Sequence, residues 1–330
     1  MEKMIAEKNH IPYCSIPAAG LHGVGLLRLP SNLTQLYKGW KKAKEIIQSF
    51  TPDVIFFTGG YLAGPVALAG RGIPKVAFVP DIEPGLALRF LNRMIDHIAV
   101  TTTQSVPFLP KRKKATVTGY PLRKEILQWN KTAARKKMGL HSKKPVVTII
   151  GGSSGARSIN RAVFTHLDQL IEQVQIVHIC GNMHWQETQS IINKLSPHSK
   201  QDYHAFPFLD EEMGAALAAA DLVVSRSGAS ILGELPYFGV PAILVPYPHA
   251  WRYQKTNAAY LVARGGAILL EDALLERDIV TTISQILSQP NLLKEMGAKM
   301  RTLAQPEAAA KISEIIARTA KMKEGEKTSW

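Results

Sequence analysis

The segment Asp221–Asn257, DLVVSRSGASILGELPYFGVPAILVPYPHAWRYQKTN, reads as strand, small-residue turn, helix, strand and polar loop. Its apolar run Leu222–Val224 stops at Ser225-Arg226-Ser227-Gly228-Ala229-Ser230, where the backbone can turn tightly before a helix begins. Such a turn aims unpaired backbone N–H groups and the positive end of the helix at whatever lies above it, usually an anion. Glu234 follows inside the helix, and Pro241–Pro246 supplies the next buried strand. His249 and Gln254 then arrive on the loop beyond that strand's carboxyl end. Open α/β sheets bind ligands there. A diphosphate carrying a polar sugar suits the arrangement.

A second element repeats the pattern. Val146–Ile150 is a continuous apolar and β-branched run, as expected of a strand buried on both faces. It leads into Gly151-Gly152-Ser153-Ser154-Gly155-Ala156-Arg157 and then a periodic helix from Ser158 to about Leu170. The loop is neither GxGxxG nor a Walker loop, so dinucleotide and P-loop ATPase readings lose their usual support. One Gly/Ser turn after a strand is often only a tight connection. Two in one domain point to a nucleotide.

Around these turns strand and helix alternate along the chain. Strands are expected near Pro12–Ile16, Val54–Phe57, Lys75–Phe78, His97–Thr101 and Ala115–Thr118, with helices around 31–49, 63–71 and 86–95. Further strands follow near 146–150, 175–179, 202–205, 222–225, 242–246 and 267–269. Alternation of this kind implies two doubly wound parallel sheets of the α/β class, facing across a cleft. The expected boundaries are 1–122, 123–305 and a terminal helical piece at 306–330, whose polar end frays.

At 330 residues and 46% hydrophobic composition the chain is long enough for two cores. Cys14 and Cys180 carry neither metal nor disulfide spacing and fit a reducing compartment. No window offers ~18 uninterrupted apolar residues, and MEKMIAEKNH lacks a signal-peptide core. The net charge of +14 calls for an anionic partner. Zinc-finger spacing, an RNP-like strand and a basic recognition helix are all missing, which argues against nucleic acid. An anionic membrane surface fits better. In helix 31–49, expected to start at the N-cap Ser31, Leu36, Tyr37 and Trp40 share a helical spacing and Lys41 lies among several lysines. Apolar and aromatic side chains fringed by lysines are what interfacial docking needs.

The motifs GGSSGARSIN, SRSGASILGELPYFGVPAILVPYPHA and QKTNA resemble the C-terminal domain of MurG-type N-acetylglucosaminyltransferases, two-domain GT-B enzymes of glycosyltransferase family 28. The resemblance extends upstream through Phe57–Pro65, Pro84-Gly85-Leu86 and Val117–Arg123. It implies inverting transfer of GlcNAc from UDP-GlcNAc to an undecaprenyl-diphosphate-linked muramoylpentapeptide, by a peripheral protein on the cytoplasmic face of the bacterial inner membrane. It implies neither cofactor nor metal. By resemblance, Ser153 lies near the diphosphate. Leu209 and the turn Ala229, Ser230, Ile231, Leu232, Gly233 and Glu234 would together frame uracil and ribose, with Glu234 on the ribose hydroxyls. Gln254 would meet the sugar, Arg123 would reach the donor from the interdomain connection, and Asp81 would stand on the acceptor side. The terminal helix would pack back on the first domain.

The sequence also departs from the family. MurG-type enzymes open with a strand and a GGTGGH-like loop carrying the His usually proposed as general base, and no such loop is found here. The first domain is therefore expected to be incomplete, by on the order of 35–45 residues. Three arrangements fit this: a coding start upstream of Met1, a second polypeptide supplying the missing part, or a UDP-sugar-binding protein without catalysis. A GT-B transferase for another lipid acceptor is the remaining enzyme reading. Phe78-Val79-Pro80-Asp81 replaces the family's His-Glu-Gln-Asn, so Asp81 stands where an Asn is expected. His22 and Asp81 are the residues one could nominate in place of the missing His; the sequence assigns the base to neither.

Overall fold

The computed structural model describes residues 2–20, 29–60, 62–85, 88, 91, 93–111, 113–140, 143–152, 155–250 and 253–327. A first parallel sheet holds β1 (Ile55–Phe57), β2 (Lys75–Val79), β3 (His97–Val100) and β4 (Lys114–Val117), in that spatial order. A second holds β5 (Val146–Ile150), β6 (Gln175–Ile179), β7 (Tyr203–Phe206), β8 (Leu222–Ser225), β9 (Ala242–Leu244) and β10 (Ala267–Leu269), ordered β10-β9-β8-β5-β6-β7. Both sheets are parallel throughout and crossed by helices, the two Rossmann-like domains that the alternation predicts. Strands covered on both faces must be apolar along their length, and β2, β6 and β8 are buried at every residue.

In the second sheet the strand order reverses between β5 and β8. These two pair in register up to Ile150 opposite Ser225, so the two glycine-rich turns leave the sheet side by side. That is the topological switch point of an open α/β sheet.

Three expected elements differ. Pro12–Ile16 forms no strand; the segment is irregular and largely exposed, and Pro12 and Pro17 each lack the N–H a ladder needs. The Pro17 carbonyl instead lies against the helix Leu29–Phe50, where a Cβ on Gly39 would sit 2.1 Å from it. That helix begins before Ser31, which is inside it rather than capping it. The single helix expected over 158–170 is two, Arg157–Thr165 and Leu167–Gln173. At the break His166 takes φ −115° and ψ 18°, and its ring meets the Glu276 carbonyl at 2.7 Å. Ile159, Val163, Leu167 and Leu170 all enter one core, so apolar periodicity runs through the break and hides it. The helix expected at 86–95 lies largely outside the described residues, as do His22 and Ser153.

Two apolar contacts among the described residues help to join the domains. The terminal helix Ala308–Lys327 sets Ile312 and Ile315 against Val76, Phe78 and Ala99 of the first sheet. In the other direction the loop after β2 inserts Ile82 among Val223, Ile231 and Leu232 of the second domain. Truncating a buried isoleucine removes its transfer free energy and leaves a cavity. Ile82→Ala is expected to cost about 2–5 kcal/mol and Ile82→Val about 0.5–1.5 kcal/mol, read from urea unfolding. Unchanged midpoints in both would mean that the loop does not dock.

Candidate active site

The two turns border a cavity of about 1330 Å³ at the carboxyl end of the second sheet. After β5 the backbone folds back so closely that only glycine fits. A Cβ on Gly155 (φ +81°) would lie 2.3 Å from the Cys180 carbonyl oxygen. The helix Arg157–Thr165 starts there from Ala156, whose side chain offers no cap. Uncapped first-turn N–H groups and the positive helix end make this a seat for an anion.

After β8, Ser230 opens the helix Ile231–Phe238, and its hydroxyl donates to Glu234 Oε2 at 2.9 Å. Burial pushes the Glu234 carboxyl above its ordinary range, opposed by the Ser230 hydrogen bond and the Arg123 charge. One carboxylate oxygen is thereby fixed, and this acidic side chain on the cavity wall can accept from a ligand's hydroxyl pair.

Arg226 locks the walls together. Its guanidinium donates to Asp272 Oδ1 at 2.5 Å, to Ser158 Oγ at 2.7 Å and to the Val245 carbonyl at 3.1 Å, and lies 5.3 Å from the Tyr247 ring centroid. The turn after β8, the first turn of Arg157–Thr165 and the segment after β10 are thus one rigid unit. Gln254 accepts from the Tyr247 N–H at 2.8 Å through its side-chain oxygen, leaving its NH2 to donate.

Arg123 sits at the rim of the cavity, bonded to the Asp210 carboxylate and, at 3.1 Å, to the Asp210 carbonyl. Lys8 joins it, 2.9 Å from both Asp210 and Glu211. Lys8 first and Arg123 second hold the Asp210 carboxyl below its ordinary range. Leu209 is buried on the cavity wall beside them.

Of the turn expected to frame uracil and ribose, part faces the cavity. Ser230, Ile231 and Glu234 face the cavity, whereas Ala229 does not line it. Leu232 packs into the core, and Gly233 faces the connection, where a Cβ would lie 2.9 Å from that of Tyr120. Asp81 does not line the cavity; Asn257 Nδ2 donates to Asp81 Oδ1 at 2.8 Å. On the helix Leu29–Phe50, Tyr37 is 63% exposed, Leu36 and Trp40 are half-buried and Lys41 is exposed. The Tyr37 and Trp40 rings lie 5.8 Å apart, with the Lys44 ammonium 5.7 Å from the Trp40 ring centroid.

Sequence reading passed over Arg226 and Asn257, although both lie in the quoted motifs. A long cation directly after a buried strand is the signal that marked Arg226.

The comparisons with known proteins agree with this geometry. The glycosyltransferase family 28 C-terminal domain matches residues 146–314 and its N-terminal domain residues 1–100. The chain belongs to glycosyltransferase family 28. It is 36% identical to the UDP-N-acetylglucosamine–N-acetylmuramyl-(pentapeptide) pyrophosphoryl-undecaprenol N-acetylglucosamine transferase of Roseiflexus sp. (strain RS-1), over 95% of this chain and 80% of that protein. The transferase of the same name from Desulforamulus reducens is 35% identical, over 96% and 87%. Among solved structures, Acinetobacter baumannii MurG superposes with a TM-score of 0.73 at 27% identity, over 96% of this chain and 88% of that one. UDP-GlcNAc 2-epimerase from Neisseria meningitidis, bound to UDP-GlcNAc, shares the fold at a TM-score of 0.69 and 14% identity, over 96% and 88%. This family member is an N-acetylglucosaminyltransferase.

Beneath the site lies a buried polar chain. Asn160 Nδ2 donates to the Cys180 carbonyl at 2.8 Å, which turns its oxygen toward His178 Nε2 at 3.0 Å. His178 Nε2 therefore carries the proton, and Nδ1 accepts from the Tyr203 hydroxyl at 2.8 Å. Burial, and then the charge of His184, push the His178 pKa down to about 3. Unfolded, the ring takes its proton near pH ~6.5. The stability it lends is thus full above that pH and falls as the pH drops toward 3, by up to about 1.4 kcal/mol per pH unit. Urea unfolding between pH 7.5 and 4 should show the decline, and His178→Gln should flatten it. An equal slope in both proteins would assign the acid sensitivity elsewhere.

Proposed function

We propose that the chain moves GlcNAc from UDP-GlcNAc to the undecaprenyl-diphospho-muramoylpentapeptide acceptor, the step from lipid I to lipid II in peptidoglycan precursor synthesis. The donor occupies the cavity of the second domain. The observation that carries this reading is the Ser230–Glu234 pair on a wall shared with two helix N-termini. A ribose diol can donate to the Glu234 carboxylate while the diphosphate meets the N–H groups that open Arg157–Thr165. Arg157 at that helix start adds a cation, and Gln254 offers its NH2 to the sugar.

The chemistry follows from where charge develops. An acceptor hydroxyl attacks the anomeric carbon from the face opposite the diphosphate, and the bond from that carbon to the phosphate oxygen breaks. Negative charge grows on the departing UDP, and fixed N–H dipoles stabilise it without reorganising.

Titration calorimetry with UDP-GlcNAc tests the donor site. Saturable binding should weaken about 10- to 100-fold in Glu234→Ala, the loss expected when a hydrogen bond to a charged group is removed. No binding at millimolar nucleotide sugar, or equal affinity in the variant, would sink this placement.

The acceptor is a lipid, and among the described residues no helix is long and apolar enough to cross a membrane. We place the protein peripherally on the cytoplasmic, anionic face of the membrane, docked through Leu36, Tyr37, Trp40 and Lys41. The exposed Leu33 and Tyr37 and the neighbouring lysines support this, as does the net charge of +14. Each lysine near an anionic surface contributes about 1 kcal/mol. Co-sedimentation with phosphatidylglycerol-containing vesicles should fall at least about fivefold in Trp40→Ala/Lys41→Ala. Equal binding of the variant, or equal binding to pure phosphatidylcholine, would move the docking face elsewhere.

A further inference from the structure

Strand β5 has β8 on one side and β6 on the other, so the glycine-rich turn after β5 has two neighbours. One is the turn after β8 that carries Glu234; the other is the segment from Gly181 to His184 that leaves β6. This second pair touches. A Cβ on Gly155 would lie 2.3 Å from the Cys180 carbonyl oxygen and 2.9 Å from His184 Cδ2, so the imidazole rests on the turn itself. The main chain of His184 is fixed on both sides. Its N–H donates to the Gly181 carbonyl at 3.1 Å, and its carbonyl accepts from the hydroxyl of the fully buried Thr188 at 2.8 Å. The side chain is only 18% exposed, and that exposed part lines the donor cavity together with Gly155, Ala156 and Arg157.

The two edges of the ring differ. Nδ1 lies 3.7 Å from Glu187 Oε2 on the helix Trp185–Lys194, too far for a hydrogen bond but close enough for attraction. The opposite edge carries Cδ2, bonded to Nε2, and that edge meets Gly155. Among the described residues no hydrogen bond reaches Nε2. It stands beside the uncapped start of Arg157–Thr165 with its bonding capacity unused. Bulk alone would be served as well by an apolar side chain.

We propose that His184 is a ligand of the donor diphosphate, its Nε2–H donating to a phosphate oxygen above Gly155. This rests on the UDP-GlcNAc reading above and adds a residue to it. Between a carboxylate on one edge and a diphosphate on the other, the imidazole carries a proton on each nitrogen. Its bond to the phosphate then joins two charged groups, which makes it short and strong. The diphosphate is thus met by backbone N–H groups and Arg157 from the end of β5 and by an imidazolium from the end of β6. His184 keeps its proton throughout and makes or breaks no covalent bond.

His184→Leu keeps most of the bulk of the ring and removes the donor, whereas His184→Gln restores an N–H near the position of Nε2. Titration calorimetry of the whole chain with UDP should show the leucine variant weaker by about 10- to 100-fold. The glutamine variant should bind at least about threefold more tightly than the leucine variant. Uridine has the base and the ribose but no phosphate, and by NMR titration its Kd should agree within about twofold in all three proteins. Equal UDP affinity in the leucine variant and the wild type overturns the assignment. So does a parallel loss of uridine affinity, which would mark a ring that only props the turn. If the leucine variant folds poorly, His184→Asn decides. Its amide falls near Nδ1 instead, so it should bind UDP more weakly than the glutamine variant, and equal affinities overturn the assignment. Wild-type protein that binds neither UDP nor UDP-GlcNAc overturns the donor-site reading itself, an outcome distinct from a leucine variant that binds normally.

Discussion

The side-chain amide of Asn257 is the interaction on which the relation between the two domains depends. It is fully buried and makes three hydrogen bonds, to Asp81 and the Ile82 N–H of one domain and to the Ser227 carbonyl of the other. The buried Ile82 N–H and Ser227 carbonyl would each lose a partner without it, at about 1–3 kcal/mol apiece. The amide therefore fixes register, where Ile82 supplies the apolar contact but little direction. A hydrophobic knob tolerates rotation in its hole; an amide with both ends occupied does not.

From that fixed point the donor site is built by strand order. β5 and β8 are neighbours whose last residues pair, so both glycine-rich turns open onto one cavity and both helices point their positive ends into it. Glu234 brings a buried carboxyl group into the same space, which a ligand with hydroxyls makes reasonable. A lone anion-binding pocket would exclude it, and a ligand with a diphosphate at one end and a diol at the other would not. Arg226 prevents the walls from drifting apart, since its bonds reach three separate segments.

Much of this was legible in the sequence, for identifiable reasons. The β-branched runs at 146–150 and 222–225 and the small-residue turns after them predict the parallel sheet and its anion-facing ends, because burial on both faces and tight turning leave few residue choices. Ser230, Glu234, Gln254, Leu209 and Arg123 do border the cavity. The break at His166 was not legible, because apolar periodicity reports which face is buried and not whether the backbone stays helical. Ala229, Leu232 and Gly233 do not line the cavity for a related reason: a motif spans a turn, but only some of its residues face the open space. Asn257 was invisible as a linchpin, since its partners lie 30 and more than 170 residues away.

The separation of roles between domains follows from electrostatics. A departing diphosphate needs positive potential, supplied here by helix N-termini and by Arg157 on the cavity wall. Glu234 can stand in that field because it is required only to accept hydrogen bonds. Asp81 lies on a loop of the other domain, held by a neutral amide and off the cavity wall. The buried Asn257 amide thus ties a carboxylate-bearing loop of the first domain to the domain that holds the cavity, while that carboxylate stays off the cavity wall.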